Sequence, residues 1–384
     1  MSDTHLLFAA RIVRLFAYGF LSVVLVLYLA SIGLDARRIG LLLTLTLVGD
    51  VLVTLYLTTR ADIIGRRRTL IAGALLMIGA GVVFAFTRDF LLLLIAATIG
   101  VISPSGNEVG PFLAVEQVAL AQAEKSRDRV SIFAWYNLAG SFATAVGALC
   151  GGFVTAASNY RTTIIAYAFL GIPLILIFAN MSSSLEAPIR STRRLFLGIH
   201  KSGRIVSRLS ALFALDSFAG GLIVQSVVAY WIFRRFGVSP QLIGAIFFAA
   251  NLLAGMSALV AAAIARRIGL VNTMVFTHLP SNVLLIVVPF MPTLALAMTV
   301  LLIRYSISQM DVPTRQSYIM EVVDDSERTA AAGVTGVARA TGAALAPVIA
   351  VPMIASAREW MPFVAAGVMK IAYDLLLLWS ARKR

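Results

Sequence analysis

The sequence predicts an all-α integral membrane protein: twelve transmembrane helices in two pseudo-symmetric six-helix bundles. Three observations carry this. The 384 residues are 60% hydrophobic and 13% charged, with a mean hydropathy of +0.91, whereas a soluble protein is about 25% charged and needs that charge to wet its surface. The apolar runs are about 20 residues long, the length at which a helix crosses the hydrocarbon core. Short motifs also recur at a fixed distance, one half of the chain against the other. No strand alternation of barrel type is present, so helices must satisfy the backbone in lipid.

The runs lie near residues 7–33, 40–60, 69–87, 90–119, 130–157, 161–181, 208–233, 241–264, 270–289, 293–320, 329–354 and 359–381, parted by Gly, Pro or charge. The first is read as a retained span, since no basic leader with a small-residue cleavage site is seen. Alternate loops fall on opposite sides. One side carries Arg60, Arg66, Arg67, Arg68, Lys125, Arg127, Arg129, the basic stretch 190–208, Arg266, Arg267, Arg328 and the basic C-terminus. The other has only Arg37, Arg38, Arg88, Arg161, Arg234, Arg235 and Arg358. The excess marks the cytoplasmic side, and both termini are expected there. The net charge of +14 is thus topogenic, which argues against a nucleic-acid partner. Arginine far outnumbers lysine; with the short loops this suggests a bacterial inner membrane. Cys150 is the single cysteine, and His5, His200 and His278 form no ligand pattern.

The repeat sets the domains. In "IGLDARRIG" (32–40) and "FGVSPQLIG" (236–244), Gly33, Ile39 and Gly40 recur as Gly237, Ile243 and Gly244, each 204 residues on. In "ADIIGRRRT" and "ARRIGLVNT", Ala61, Ile64, Gly65 and Thr69 recur as Ala265, Ile268, Gly269 and Thr273 at the same offset. Two parallel six-helix repeats follow: a bundle over 1–181, a cytoplasmic linker over 182–207 and a bundle over 208–384.

Asp62 to Leu70, "D-x-x-G-R-R-R-T-L" after the second of twelve spans, resembles the signature loop of the major facilitator superfamily. Two departures are visible: Thr58 stands where the family has glycine, and Arg266 lies opposite Asp62 in the second copy. The resemblance implies a secondary active transporter of a small organic solute working by alternating access, with spans one, four, seven and ten lining the path. Gly65 permits a tight turn. Asp62 can pair with a positive helix N-terminus near Thr329, and Arg66, Arg67 and Arg68 with Glu321, Asp324, Asp325 and Glu327. This is the expected cytoplasmic gate.

Charges inside spans cost about 2.5–3.5 kcal/mol on insertion scales and are functional candidates. Glu108 and Asn107 lie in "SPSGNEVGP" (103–111), which reads as a broken fourth helix. Glu116 follows on roughly the same face. Gln309 and Asp311 lie in "SQMDVP" of the tenth span, and Arg304 is placed on the face of Asp311 by its 7-residue spacing. Asp50, mid-span with no partner in its own helix, is a candidate proton site. Arg14 and Asp216 are expected to meet as a second gate contact. Lys370 and Asp374 are expected to pair within the twelfth span. Arg339 has no assigned role.

No phosphate-cradling G-x-x-x-x-G-K loop and no nucleophile–base pair is present, so neither an enzyme nor a cofactor is expected. The intramembrane acids suggest proton coupling. Gly147, Gly151 and Gly152 resemble part of the fifth-span signature of drug exporters, with Ala148 in place of its proline. They tip the expectation towards an efflux antiporter over a symporter or facilitator. The mixture of arginines, acids, aromatics and amides suits a zwitterionic or anionic solute. A monomer in the lipid bilayer is expected.

Overall fold

The computed structural model describes residues 3–123, 129–182, 201–324 and 327–382. Among these residues the secondary structure is helical throughout. The first span is α1 (Asp3–Ser22) and α2 (Leu25–Ser31); the second and third are α3 (Ala36–Ile64) and α4 (Arg66–Phe86). The fourth is α5 (Phe90–Ile99) and α6 (Phe112–Ala123), the fifth α7 (Arg129–Ala157) and the sixth α8 (Tyr160–Ala179). In the second half, α9 (Gly203–Gly221) and α10 (Gln225–Phe236) form the seventh span, followed by α11 (Pro240–Ile268) and α12 (Leu270–Val287). α13 (Leu294–Tyr305) and α14 (Asp311–Val322) form the tenth, α15 (Arg328–Ala344) and α16 (Pro347–Ala355) the eleventh, and α17 (Met361–Arg382) the twelfth.

Ten stretches are long and apolar enough to cross a membrane, among the described residues. The fourth and tenth spans complete twelve in two pieces each. The breaks have local causes. Between α5 and α6, Gly106 and Gly110 take positive φ of 72° and 78°, a backbone that only glycine adopts cheaply. α9 ends on a glycine pair, Gly220–Gly221. At the start of α16, Pro347 lacks the N–H that would continue α15. In α14, Pro313 sits in the first turn, where a missing donor costs little. In the first span, the Ser22 hydroxyl bonds back to Gly19 O at 3.0 Å, and Val24 N–H bonds to Leu21 O, tightening the last turn of α1.

The chain parts into two compact units, Met1–Ser191 with Gln225–Phe248, and Thr192–Val224 with Ala249–Arg384. Most of the expected linker, 183–200, lies outside the described residues. Within the first unit, α1 packs on α7. A Cβ added at Gly147 or Gly151 would lie 2.1 Å from the carbonyl oxygen of Phe16 or Phe20, and one at Gly19 2.1 Å from Thr144 O. These glycines bring the two backbones into contact. Gln225 Nε2 donates to Ser22 Oγ at 2.8 Å, and Ser226 N–H to Pro104 O at 3.1 Å. Within the second unit, α9 packs on α15 in the equivalent way: a Cβ at Gly221 would lie 2.4 Å from Ala343 O and one at Gly342 2.4 Å from Ala214 O.

The repeat is legible in the hydrogen bonds. Gly65 (φ 103°) is the single residue between α3 and α4, and Gly269 (φ 84°) between α11 and α12. Each donates to the carbonyl four residues back, Ala61 or Ala265, at 2.9 Å. Each carbonyl accepts from the backbone N–H and the hydroxyl of Thr69 or Thr273. Gly33 and Gly237 likewise share positive φ, at 91° and 62°.

Candidate functional site

In the first unit, Arg11 and Arg14 rise from α1 towards the broken fourth span. Arg14 holds Glu116 of α6 with both terminal nitrogens, Nη1 to Oε1 at 2.5 Å and Nη2 to Oε2 at 2.7 Å. Its Nε and Nη2 also reach Glu108 Oε2 and Oε1, at 3.2 and 3.1 Å. Arg11 Nη1 meets Glu108 Oε1 at 2.5 Å and Nη2 meets Asn137 Oδ1 at 3.1 Å. Tyr136 donates its hydroxyl to Glu116. The Arg11 guanidinium lies 4.3 Å from the Tyr136 ring centre, and that of Arg14 4.7 Å from the Phe112 ring centre. Gly140 leaves the space: a Cβ there would meet Arg11 Nε at 2.6 Å. Two cations thus face two acids, all four largely buried.

Asp50 stands apart from this balance. It faces no cation among the described residues. Its Oδ1 accepts the backbone N–H of Gly110 at 2.5 Å and the Thr54 hydroxyl at 3.4 Å. Gly110 is the positive-φ residue that closes the break of the fourth span, so the carboxylate is tied to the shape of that break. Asn107, in the same break, is exposed, and its carbonyl accepts from Ser103 Oγ at 2.7 Å.

In the second unit, Asp216 of α9 is buried between two cations, Lys370 Nζ at 2.6 Å and Arg315 Nη1 at 3.2 Å. Arg315 also holds Asp311, one turn earlier on α14, at 3.0 Å. The expected Lys370–Asp374 pair is not formed. Lys370 turns to Asp216, while Asp374 receives Asn282 Nδ2 at 2.9 Å and meets His278 Nδ1 at 2.9 Å. Helix-to-helix partners on α9 and α12 thus replace the pairing within one helix. Likewise Arg14 and Asp216 each hold their partners inside their own unit.

Arg304 and Asp311 do not share a helical face. α13 ends at Tyr305 and α14 begins at Asp311, so a 7-residue spacing no longer means two helical turns. Arg304 lies over the Tyr305 ring at 5.1 Å, and Gln309 is partly buried in the break. At the expected gate, Gly65 makes the turn described above, with Arg66 buried, Arg67 partly buried and Arg68 exposed. The Asp62 side chain and Asp325 lie outside the described residues. Glu327 accepts the backbone N–H groups of Lys201 and Ser202, both at 2.8 Å, and Asp324 pairs with Lys201 Nζ at 3.2 Å. Sequence reasoning gave His278, Asn282 and Arg315 no role. Their only signal was a polar residue inside an apolar run.

Each unit thus sets a network of buried charges beside a broken helix. The chain matches the Major Facilitator Superfamily over residues 7–380. It is 28% identical over 418 aligned residues to the uncharacterized membrane protein YJR124C of Saccharomyces cerevisiae, covering 98% of this chain and 93% of that one. Among solved structures it resembles the nucleoside transporter NupG, with a TM-score of 0.77 at 13% identity over 98% of each chain. It also resembles a D-xylose-proton symporter, with a TM-score of 0.76 at 14% identity over 97% of this chain and 96% of that one. The human organic anion transporter MFSD10 (TETRAN) gives a TM-score of 0.67 at 16% identity over 97% and 98%.

Proposed function

The chain belongs to the major facilitator superfamily, a multi-pass membrane transporter of small solutes, and we propose that it couples solute movement to protons through Asp50. The observation that carries this is the Asp50–Gly110 hydrogen bond. Glu108 and Glu116, at the broken fourth span, already face arginines; Asp50 faces a backbone N–H at the same break. Protonating it weakens that bond, since a neutral carboxyl oxygen is a poorer acceptor than a carboxylate. The break can then relax, which links proton occupancy to the conformation of a span expected to line the path. Broken spans near the midplane are where such transporters hold substrate and ion. Glu108, Glu116, Arg11 and Arg14 form the polar frame beside that break; Asp311, Arg315, Asp216 and Lys370 form its counterpart.

The solute is a small polar organic molecule. Arginines, acids, amides and tyrosines around the two breaks support this better than a lipophilic cation. The fifth-span glycines that suggested efflux have a packing role against α1, so direction rests on the transport assay. The basic loops support an orientation with both termini cytoplasmic, and the arginine excess supports a bacterial inner membrane.

The test is pyranine fluorescence in sealed proteoliposomes challenged with amino acids, organic acids, sugars and nucleosides. A solute-evoked pH change in the parent, absent in Asp50→Asn, is expected. Its sign separates antiport from symport. Solute uptake with no pH change, or an unaltered pH change in Asp50→Asn, overturns the coupling reading.

A further inference from the structure

In the second unit, two guanidiniums inside the spans have no acid within ion-pair distance among the described residues. Asp216 and Asp311 are taken by Lys370 and Arg315, and Asp374 by His278 and Asn282. Two guanidiniums remain. Arg304 is 8% exposed, its Nε has no hydrogen-bond partner, and no carboxylate lies within ion-pair distance among the described residues. Arg339 on α15 is partly buried and its Nε is also without a partner. Arg304 ends α13 and stands at the break of the tenth span. The carbonyl end of α13 and the Tyr305 ring offset part of its charge. Neither is a counter-ion, and a buried charge with no counter-ion is costly unless something else supplies one.

We propose that Arg304 recognises an anionic group, so that the solute is a small organic anion. The inference rests on the transporter reading and narrows its substrate class. A guanidinium presents a planar fork of donors that suits a carboxylate or phosphate bidentately. Placed at a helix break, with the Tyr305 ring beside it, that fork offers charge and orientation together. The paired Arg315 serves as the contrast: its donors are used by Asp216 and Asp311, and it holds the bundle together.

The experiment is thermal unfolding of the full chain in detergent, at constant ionic strength, with three matched pairs: benzoate and benzamide, glucuronate and glucose, uridine 5′-monophosphate and uridine. At least one anionic member is expected to raise the melting temperature while its neutral partner does not. Arg304→Gln abolishes that rise and Arg304→Lys keeps part of it. Without ligand, Arg304→Gln melts no lower than the parent, because it removes an unanswered charge, whereas Arg315→Gln melts well below it. The inference is overturned if ligand-free Arg304→Gln is strongly destabilised, if the anions stabilise Arg304→Gln as they do the parent, or if no anionic member shifts the parent. The two readings fail separately. Proteoliposomes that move a neutral solute and no anion keep the transporter reading and lose this one. An Arg304-dependent anion shift with no transport of any solute does the reverse.

Discussion

Arg14 and Glu116 are joined by two parallel hydrogen bonds, at 2.5 and 2.7 Å, with both side chains shut off from solvent. Such a pair is expensive to break from one side. Arg14→Met removes the cation that Glu116 faces and leaves it the Tyr136 hydroxyl, and the expected loss is about 3–5 kcal/mol. The double variant Arg14→Met/Glu116→Met removes one charge of each sign and leaves Arg11 with Glu108. It should recover most of the loss. Melting temperatures of the two single variants and the double one in detergent check this; a double variant less stable than either single one would refute the pairing.

Asp50 and Glu108 are both acids inside spans, and their surroundings separate them. Glu108 is bracketed by Arg11 and Arg14, at 2.5 and 3.1 Å, so its charge has partners within the unit. Asp50 has no such neighbour. Glu108→Gln is therefore expected to lower transport while keeping its pH profile, because the parent's titrating group survives. Asp50→Asn is expected to leave a flat profile. Initial transport rates over a pH series, parent against the two variants, decide between them.

The turns at Gly65 and Gly269 make a paired test of the repeat. Both residues occupy positive φ, so alanine at either should cost about 1–3 kcal/mol through backbone strain. Gly79 is the control. It lies inside α4 with open space around its Cα, and alanine there should stabilise by about 0.5–1 kcal/mol. Equal behaviour of all three variants in thermal unfolding would mean that the two turns are not strained as described.

Span number and the repeat were legible because they are written in properties that survive without contacts. Run length, alternate-loop charge and the matched Gly65/Gly269 and Thr69/Thr273 positions all act locally. The broken fourth span was also legible, since its prolines and glycines forbid a continuous helix. The tenth-span break was missed: it carries no glycine, and Pro313 lies beyond it. Hidden too were the partners of the buried charges. Lys370 and Asp374 sit one turn apart and look like a pair, yet each is drawn to a residue on another helix. His278 was set aside as a lone histidine and proves to face Asp374 and Asn282. Sequence spacing predicts neighbours only within an unbroken helix, and most of the site is built between helices.

The glycines of α7 connect that limit to a claim about function. Gly147 and Gly151 first suggested an exporter's signature. In the structure each lies against an α1 carbonyl, so close that a Cβ would fall 2.1 Å from it. Gly151→Ala must push α7 away from α1, and overpacking of this kind costs about 1–3 kcal/mol. Because α1 carries Arg11 and Arg14, the shift also strains their bonds to Glu108 and Glu116. The expected outcome is a lower melting temperature together with reduced transport, both worse for Gly151→Val. A residue that serves only the direction of transport would behave otherwise. Gly151→Ala would then melt like the parent, and only the sign or coupling of the solute-evoked pH change would differ.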